Sequence, residues 1–268
     1  MSNVTFWGEM DLADQYTFKF VALVLIFAVG VAGGLGALGA QRSERREVLF
    51  SLGSALAAGI FLGAGLIHLL PDGIEALTDY FRTLDFPLGF LIAALGFLLV
   101  VYIEMVYLAG KHGPDDDAGP AVTTYALVVI LSIHSVLAGA ALGTENTLVG
   151  SVVIFLAIIA HKGAAAFALG VEFQRSGFDR SKYLRLLLIF ASMTPLGIIL
   201  GAGLEHVLQG NYGRLFEGIF DSLAAGTFLY IAIIEIIGKE FTARSPSGLK
   251  FVMLCGGIGL MAVIALWT

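Results

Sequence analysis

At 268 residues, 58% hydrophobic and only 13% charged, the chain lies far from the roughly 45–50% apolar, 25% charged balance of soluble domains, and it belongs in lipid. A net charge of −6 offers nothing to a phosphate backbone and excludes nucleic acid as a partner. The single cysteine, Cys255, excludes an intrachain disulfide scaffold and a thiolate metal cluster.

Backbone polar groups must be paired inside hydrocarbon, so only helices or a closed barrel can span it, and the apolar runs here are continuous rather than alternating. The expected structure is therefore all-α. Residues 1–17 carry Glu9, Asp11 and Asp14 but no Lys or Arg, the reverse of a secretion-signal n-region, so the first apolar run reads as a retained helix. Runs of about 20 apolar residues, enough to cross ~30 Å of hydrocarbon, predict spans near 18–40, 48–70, 87–109, 121–143, 148–171, 183–208, 215–237 and 249–267. These are eight spans in a single transmembrane domain covering 1–268. The connections after spans 1, 3, 5 and 7 hold Arg42, Arg45, Arg46, Lys111, Arg175, Arg180, Lys182, Arg185, Lys239, Arg244 and Lys250, whereas the other side holds only Lys19, Arg82 and Arg214. By the positive-inside rule the first set is cytoplasmic and both termini are outside. Gly30, Gly34, Gly59 and Gly63 have the small-xxx-small spacing that lets helix backbones approach closely in a bilayer. The acidic connection KHGPDDDAGP, 111–120, reads first as a solvated turn and only second as a loose cation site of His112 and three aspartates.

Spans 4 and 5 contain an internal repeat, HSVLAGAALG from His134 and HKGAAAFALG from His161. Each histidine lies 13 residues into its span, so on consecutive antiparallel helices both rings reach about the same depth. A lone membrane histidine often serves as an interhelical hydrogen-bonding group. A pair at matched depth beside Ser135 and Lys162 points first to an ion or proton site, because ionisable groups are costly in the bilayer core, and imidazole is a good ligand for zinc and its neighbours. Other ionisable side chains group toward the two ends. His68, Asp72, Glu205, His206, Glu217 and Asp221 lie near the outer ends, and Glu104, Glu172 and Glu235 near the cytoplasmic ends. Acidic groups at both mouths would concentrate cations there.

These motifs resemble the ZIP (Zrt-, Irt-like) family of divalent-metal transporters. The resemblance runs through HLLPDG (68–73), HSVLAG (134–139), HKGAAAFALG (161–170), SMTPLG (192–197) and AGTFLYIAIIE (225–235), in order and over most of the chain. It implies a 3+2+3 bundle, with spans 4 and 5 as a central metal-binding pair between two inverted three-helix repeats, an arrangement suited to alternating access. It further implies import of zinc, sometimes iron, manganese or cadmium, toward the cytosol, and a homodimer. The HK pair resembles the branch containing the animal plasma-membrane importers. His134, Ser135 and His161 match the family's metal-site positions, and Lys162 falls where two-metal members carry a carboxylate, so a tethered ammonium would replace the second cation. The departure is at Ala138 and Ala165, where family members carry glutamate; both anionic ligands are absent.

The sequence therefore predicts a non-enzymatic, multi-pass plasma-membrane transporter with no cofactor, whose substrate is the metal ion. No Ser-His-Asp order, HExxH or phosphate loop is present. The expected path enters past Asp72, His68, Glu205 and Asp221, pauses at His134, Ser135 and His161, and leaves past Glu235, Glu104 and Glu172. With two neutral imidazoles and a charged Lys162 the centre is a poor place for a desolvated dication. Two other readings stay open, a channel-like conductor and a non-transporting sensor or partner-binding subunit.

Overall fold

Runs without polar interruption satisfy every backbone group within their own helix, and the computed structural model, which describes residues 12–103, 119–203, 211–241 and 247–266, contains no strand among them. The helices are α1 (Leu12–Ala40), α2 (Arg46–Tyr80), α3 (Leu88–Val101), α4 (Gly119–Thr144), α5 (Leu148–Arg175), α6 (Arg180–Gly203), α7 (Tyr212–Glu240) and α8 (Ser247–Ile264). They follow the predicted spans in order. Among the described residues six are long and apolar enough to cross a membrane, and the described parts of α3 and α8 are shorter apolar helices. The protein is a polytopic, all-helical membrane protein.

Two boundaries differ from expectation. Helix α1 begins at Leu12 rather than near 18. Helix α2 runs ten residues beyond the apolar run, and its last turns carry Asp72 and Glu75 on an amphipathic segment. It passes Pro71 because a π-helical turn, Ala64–Leu69, comes immediately before it, with the Leu70 N–H bonded to the Gly65 carbonyl. That turn widens the helix where a proline ring would otherwise clash with the carbonyl four residues back. A second π-helical stretch, Ile231–Ile237, lies in α7.

The helices pack as two bodies. Helix α1 lies on α5 and α6, and α6 lies on α4; separately, α2 lies on α8 and α7, and α7 lies on α3. This pattern maps onto itself when α1 is exchanged with α6, α2 with α7, α3 with α8 and α4 with α5. The exchange also brings one π-helical turn onto the other. This is the relation expected of inverted repeats flanking a central α4–α5 pair.

Small residues set the close crossings. A Cβ on Gly59 of α2 would overlap the Leu254 carbonyl of α8, and one on Gly226 of α7 would overlap the Ala93 carbonyl of α3. Because a backbone carbonyl cannot step aside, Gly226→Ala should cost toward the upper end of the ~1–3 kcal/mol typical of overpacking. A lower melting temperature in detergent would register it. Gly256→Ala, where the new methyl meets open space, should leave melting unchanged or slightly raised. Equal melting of the two variants would mean that α3 and α7 do not cross this closely.

Candidate metal centre

Helices α4 and α5 bring the two predicted histidines together. The ring centroids of His134 and His161 are 5.5 Å apart and tilted by 54°, and both residues are buried, at 6% and 5% exposure. His134 Nε2 and His161 Nδ1 have no well-aligned hydrogen bond, although the His161 ring lies within the influence of the Ala157 carbonyl one turn back on its own helix. A buried polar atom left unpaired costs ~1–3 kcal/mol, so two in one place suggest a ligand between or beside the rings.

The next residue along each helix is turned about 100° away, and there Ser135 and Lys162 meet. Lys162 Nζ donates to Ser135 Oγ at 3.0 Å and to the Phe190 carbonyl at 3.0 Å, and it lies 3.7 Å from the Phe190 ring centroid. The ammonium is thus held by two acceptors and a π face. Ser135, grouped with the ligands in the sequence reading, has its hydroxyl directed to this lysine.

The side of the histidine pair facing the second body is aromatic. Phe228 of α7, fully buried, has its centroid 4.6 Å from that of His134 and 6.0 Å from that of His161. Phe61 of α2 stands 5.0 Å behind Phe228. The pair therefore lies at the contact between the two bodies. One helical turn on, Ala138 is half-buried against the cluster of Ile26, Leu142 and Ile158, whereas Ala165 is buried in the main core. Among the described residues no group of three or more His, Cys, Asp or Glu side chains is placed to hold a metal.

The two ends differ. At the acidic end a cavity of about 230 Å³ opens between α4, α5 and α7, lined by Leu137, Thr144, Glu145, Phe216, Glu217 and Asp221. His68, on the π-helical turn of α2, has Nδ1 2.7 Å from Asp72 Oδ2, an ion-pair distance off the line of a proper hydrogen bond. At the basic end the cavity is only about 20 Å³, with Ser54, Leu131, Glu172, Arg175 and Glu235 in its wall. Glu172 and Glu235, read from sequence as part of an acidic mouth, are each paired with a cation. Arg175 bonds Glu172 at 3.2 Å and reaches across to Glu240 at 2.5 Å. Lys239 pairs with Glu235. Lys250 Nζ donates to the Glu240 carbonyl at 2.5 Å and lies 3.8 Å from its carboxylate. Among the described residues, the larger of these two cavities lies at the acidic end, and ion pairs line the basic end. Glu104, Glu205, His112 and His206 lie outside the described residues.

Sequence reasoning passed over Phe228, Glu240 and the pairing of Arg175. The spacings 172/175 and 235/239 carried a usable signal, since residues three or four apart share a helix face. The contacts of Phe228 and Glu240 with other helices carried none.

The chain matches the family model described as ZIP zinc transporter over residues 16–122 and 108–265. It is similar to zinc transporter ZIP1 of Homo sapiens, at 32% identity over 258 residues covering 82% of this chain and 79% of that protein. Zinc transporter ZIP2 of Homo sapiens is 29% identical over 276 residues, covering 85% and 89% respectively. Protein zntD of Dictyostelium discoideum is 39% identical over 149 residues, covering 54% and 21%.

Proposed function

Because this chain belongs to the ZIP zinc transporter family, we propose that it moves divalent transition-metal cations, zinc foremost, across a membrane by way of the His134–His161 site between α4 and α5. The observation that carries this reading is the pair of buried imidazoles with unpartnered nitrogens at the contact between two helical bodies. The basic end is cytoplasmic by its Lys and Arg, so the ion enters through the acidic cavity past Asp72, Glu217 and Asp221 and is released past Glu172 and Glu235 once their ion pairs open. The protein works without a cofactor and catalyses no covalent chemistry. The reading includes a plasma-membrane location and a homodimer, which the family resemblance supports.

Zinc uptake into proteoliposomes tests the proposal. Saturable, slow uptake is expected of a carrier, and no uptake above protein-free vesicles would sink it. The alanines at 138 and 165 favour one second reading, a channel-like conductor whose centre binds loosely and releases fast. Fast, non-saturating uptake would support that instead.

The missing anion can be restored. Ala138→Glu places a carboxylate one turn from His134 on the same face, at a half-buried position, where it offsets Lys162 and supplies an oxygen ligand. Zinc affinity by calorimetry should rise on the order of tenfold, the equivalent of ~1.4 kcal/mol. The same change at Ala165 buries the charge in packed core and should cost folding first. Unchanged affinity in folded Ala138→Glu protein would mean that the rings and residue 138 do not share a cavity.

A further inference from the structure

We propose that the His134–His161 pair binds a monovalent d10 cation, Cu(I) or Ag(I), more tightly than it binds zinc, so that a soft monovalent ion is a second cargo of this chain. This rests on the transport-site reading above and extends it to a different class of ion.

Three observations carry it. First, the centre offers two neutral nitrogen donors and no carboxylate or thiolate, since Ala138 and Ala165 stand one turn from the rings and no third His, Cys, Asp or Glu joins them among the described residues. Zinc asks for four ligands in a tetrahedron, whereas Cu(I) and Ag(I) are satisfied by two nitrogens in a line, and imidazole is a good ligand for copper.

Second, a lysine side chain adjoins the site. Lys162 follows His161 in sequence, and its Nζ donates to Ser135, the neighbour of His134, and to the Phe190 carbonyl, which hold it beside the pair. Repulsion from an ammonium at this position scales with the charge of the guest ion, and the Born cost of desolvation scales with its square. A monovalent ion therefore meets half the repulsion and a quarter of the desolvation cost of a divalent one.

Third, the centre is flanked by an aromatic ring that packs on both imidazoles. Phe228 packs on both imidazoles with Phe61 behind it, and the unpartnered nitrogens are sealed from solvent. At 5.5 Å between centroids the two rings are close enough for one ion to be shared between them.

The test uses full-length protein in detergent under anaerobic, reducing conditions. Cu(I) is supplied against the competing chelator bicinchoninate, Ag(I) and zinc are titrated by calorimetry, and the copper-loaded protein is examined by X-ray absorption. The expected result is one Cu(I) per chain, bound on the order of 100-fold more tightly than zinc, with a two-nitrogen linear spectrum. His134→Ala and His161→Ala should each abolish it, and Ala138→Glu should narrow the preference by tightening zinc. Zinc binding as tight as Cu(I), sulfur ligation in the spectrum, or full Cu(I) retention in both histidine variants would overturn the inference. The spectrum of the unaltered protein decides the matter even where a variant fails to fold. Zinc uptake measured on the same preparation separates the two claims. Uptake without a preference for Cu(I) overturns this inference alone, and absence of both uptake and metal binding overturns the site itself.

Discussion

Replacing both His134 and His161 by alanine is expected to abolish metal binding inside the bundle and with it zinc uptake, while the protein still folds. The folding cost is small because two effects oppose. Losing each ring's edge contact with Phe228 costs about 0.5–1.5 kcal/mol, and an interhelical polar contact in a membrane protein is worth only about 0.6 kcal/mol on average. Against this, the change removes two unpartnered buried nitrogens, each carrying a penalty of ~1–3 kcal/mol. Size-exclusion profile and melting temperature should therefore stay close to those of the parent, while calorimetric zinc binding at the centre falls to background. Collapse of the folded peak would mean that the pair is a structural clasp.

The second large effect is expected at the basic end. Glu240 is 4% exposed and holds Arg175 of α5 and Lys250 of α8 together. Glu240→Ala leaves the buried Lys250 ammonium, itself 2% exposed, with the backbone carbonyl of residue 240 as its acceptor. Removing one partner of a buried pair costs about 3–5 kcal/mol. Arg175→Ala should cost less, because that guanidinium is 38% exposed and water screens it. The lost contact is one that joins the two bodies, so Glu240→Ala should also open the basic end. A cysteine at Ser54, in the wall of the small cavity, placed in a Cys255→Ser background, should react faster with a membrane-impermeant thiol reagent applied from that side. Unchanged melting and unchanged labelling would show that this network does not close the route.

The spans were legible because a continuous apolar run of membrane length has few alternatives to a helix. The histidine pair was legible because the repeat HSVLAGAALG/HKGAAAFALG places both rings at one depth, and the rings do face each other. The π-helical turns were not, since residues such as Ala64–Leu69 have no propensity that separates a π turn from an α turn. They turn out to carry His68 and Glu235, two of the predicted path residues. The ion-paired basic end was also hidden. Reading Glu172 and Glu235 as part of an acidic mouth counted charges by depth but could not count cross-helix partners such as Arg175 with Glu240, which are 65 residues apart. Ser135 shows the same limit, because sequence gave its proximity to the centre but not that its hydroxyl would be directed to Lys162.

The most direct test is anomalous scattering from crystals of the protein grown with zinc and measured at the zinc edge. A peak between the rings of His134 and His161, lost in the double alanine variant, is the predicted result. Occupied zinc sites confined to the acidic cavity around Glu217 and Asp221, with nothing between the rings, would contradict the assignment of the central site.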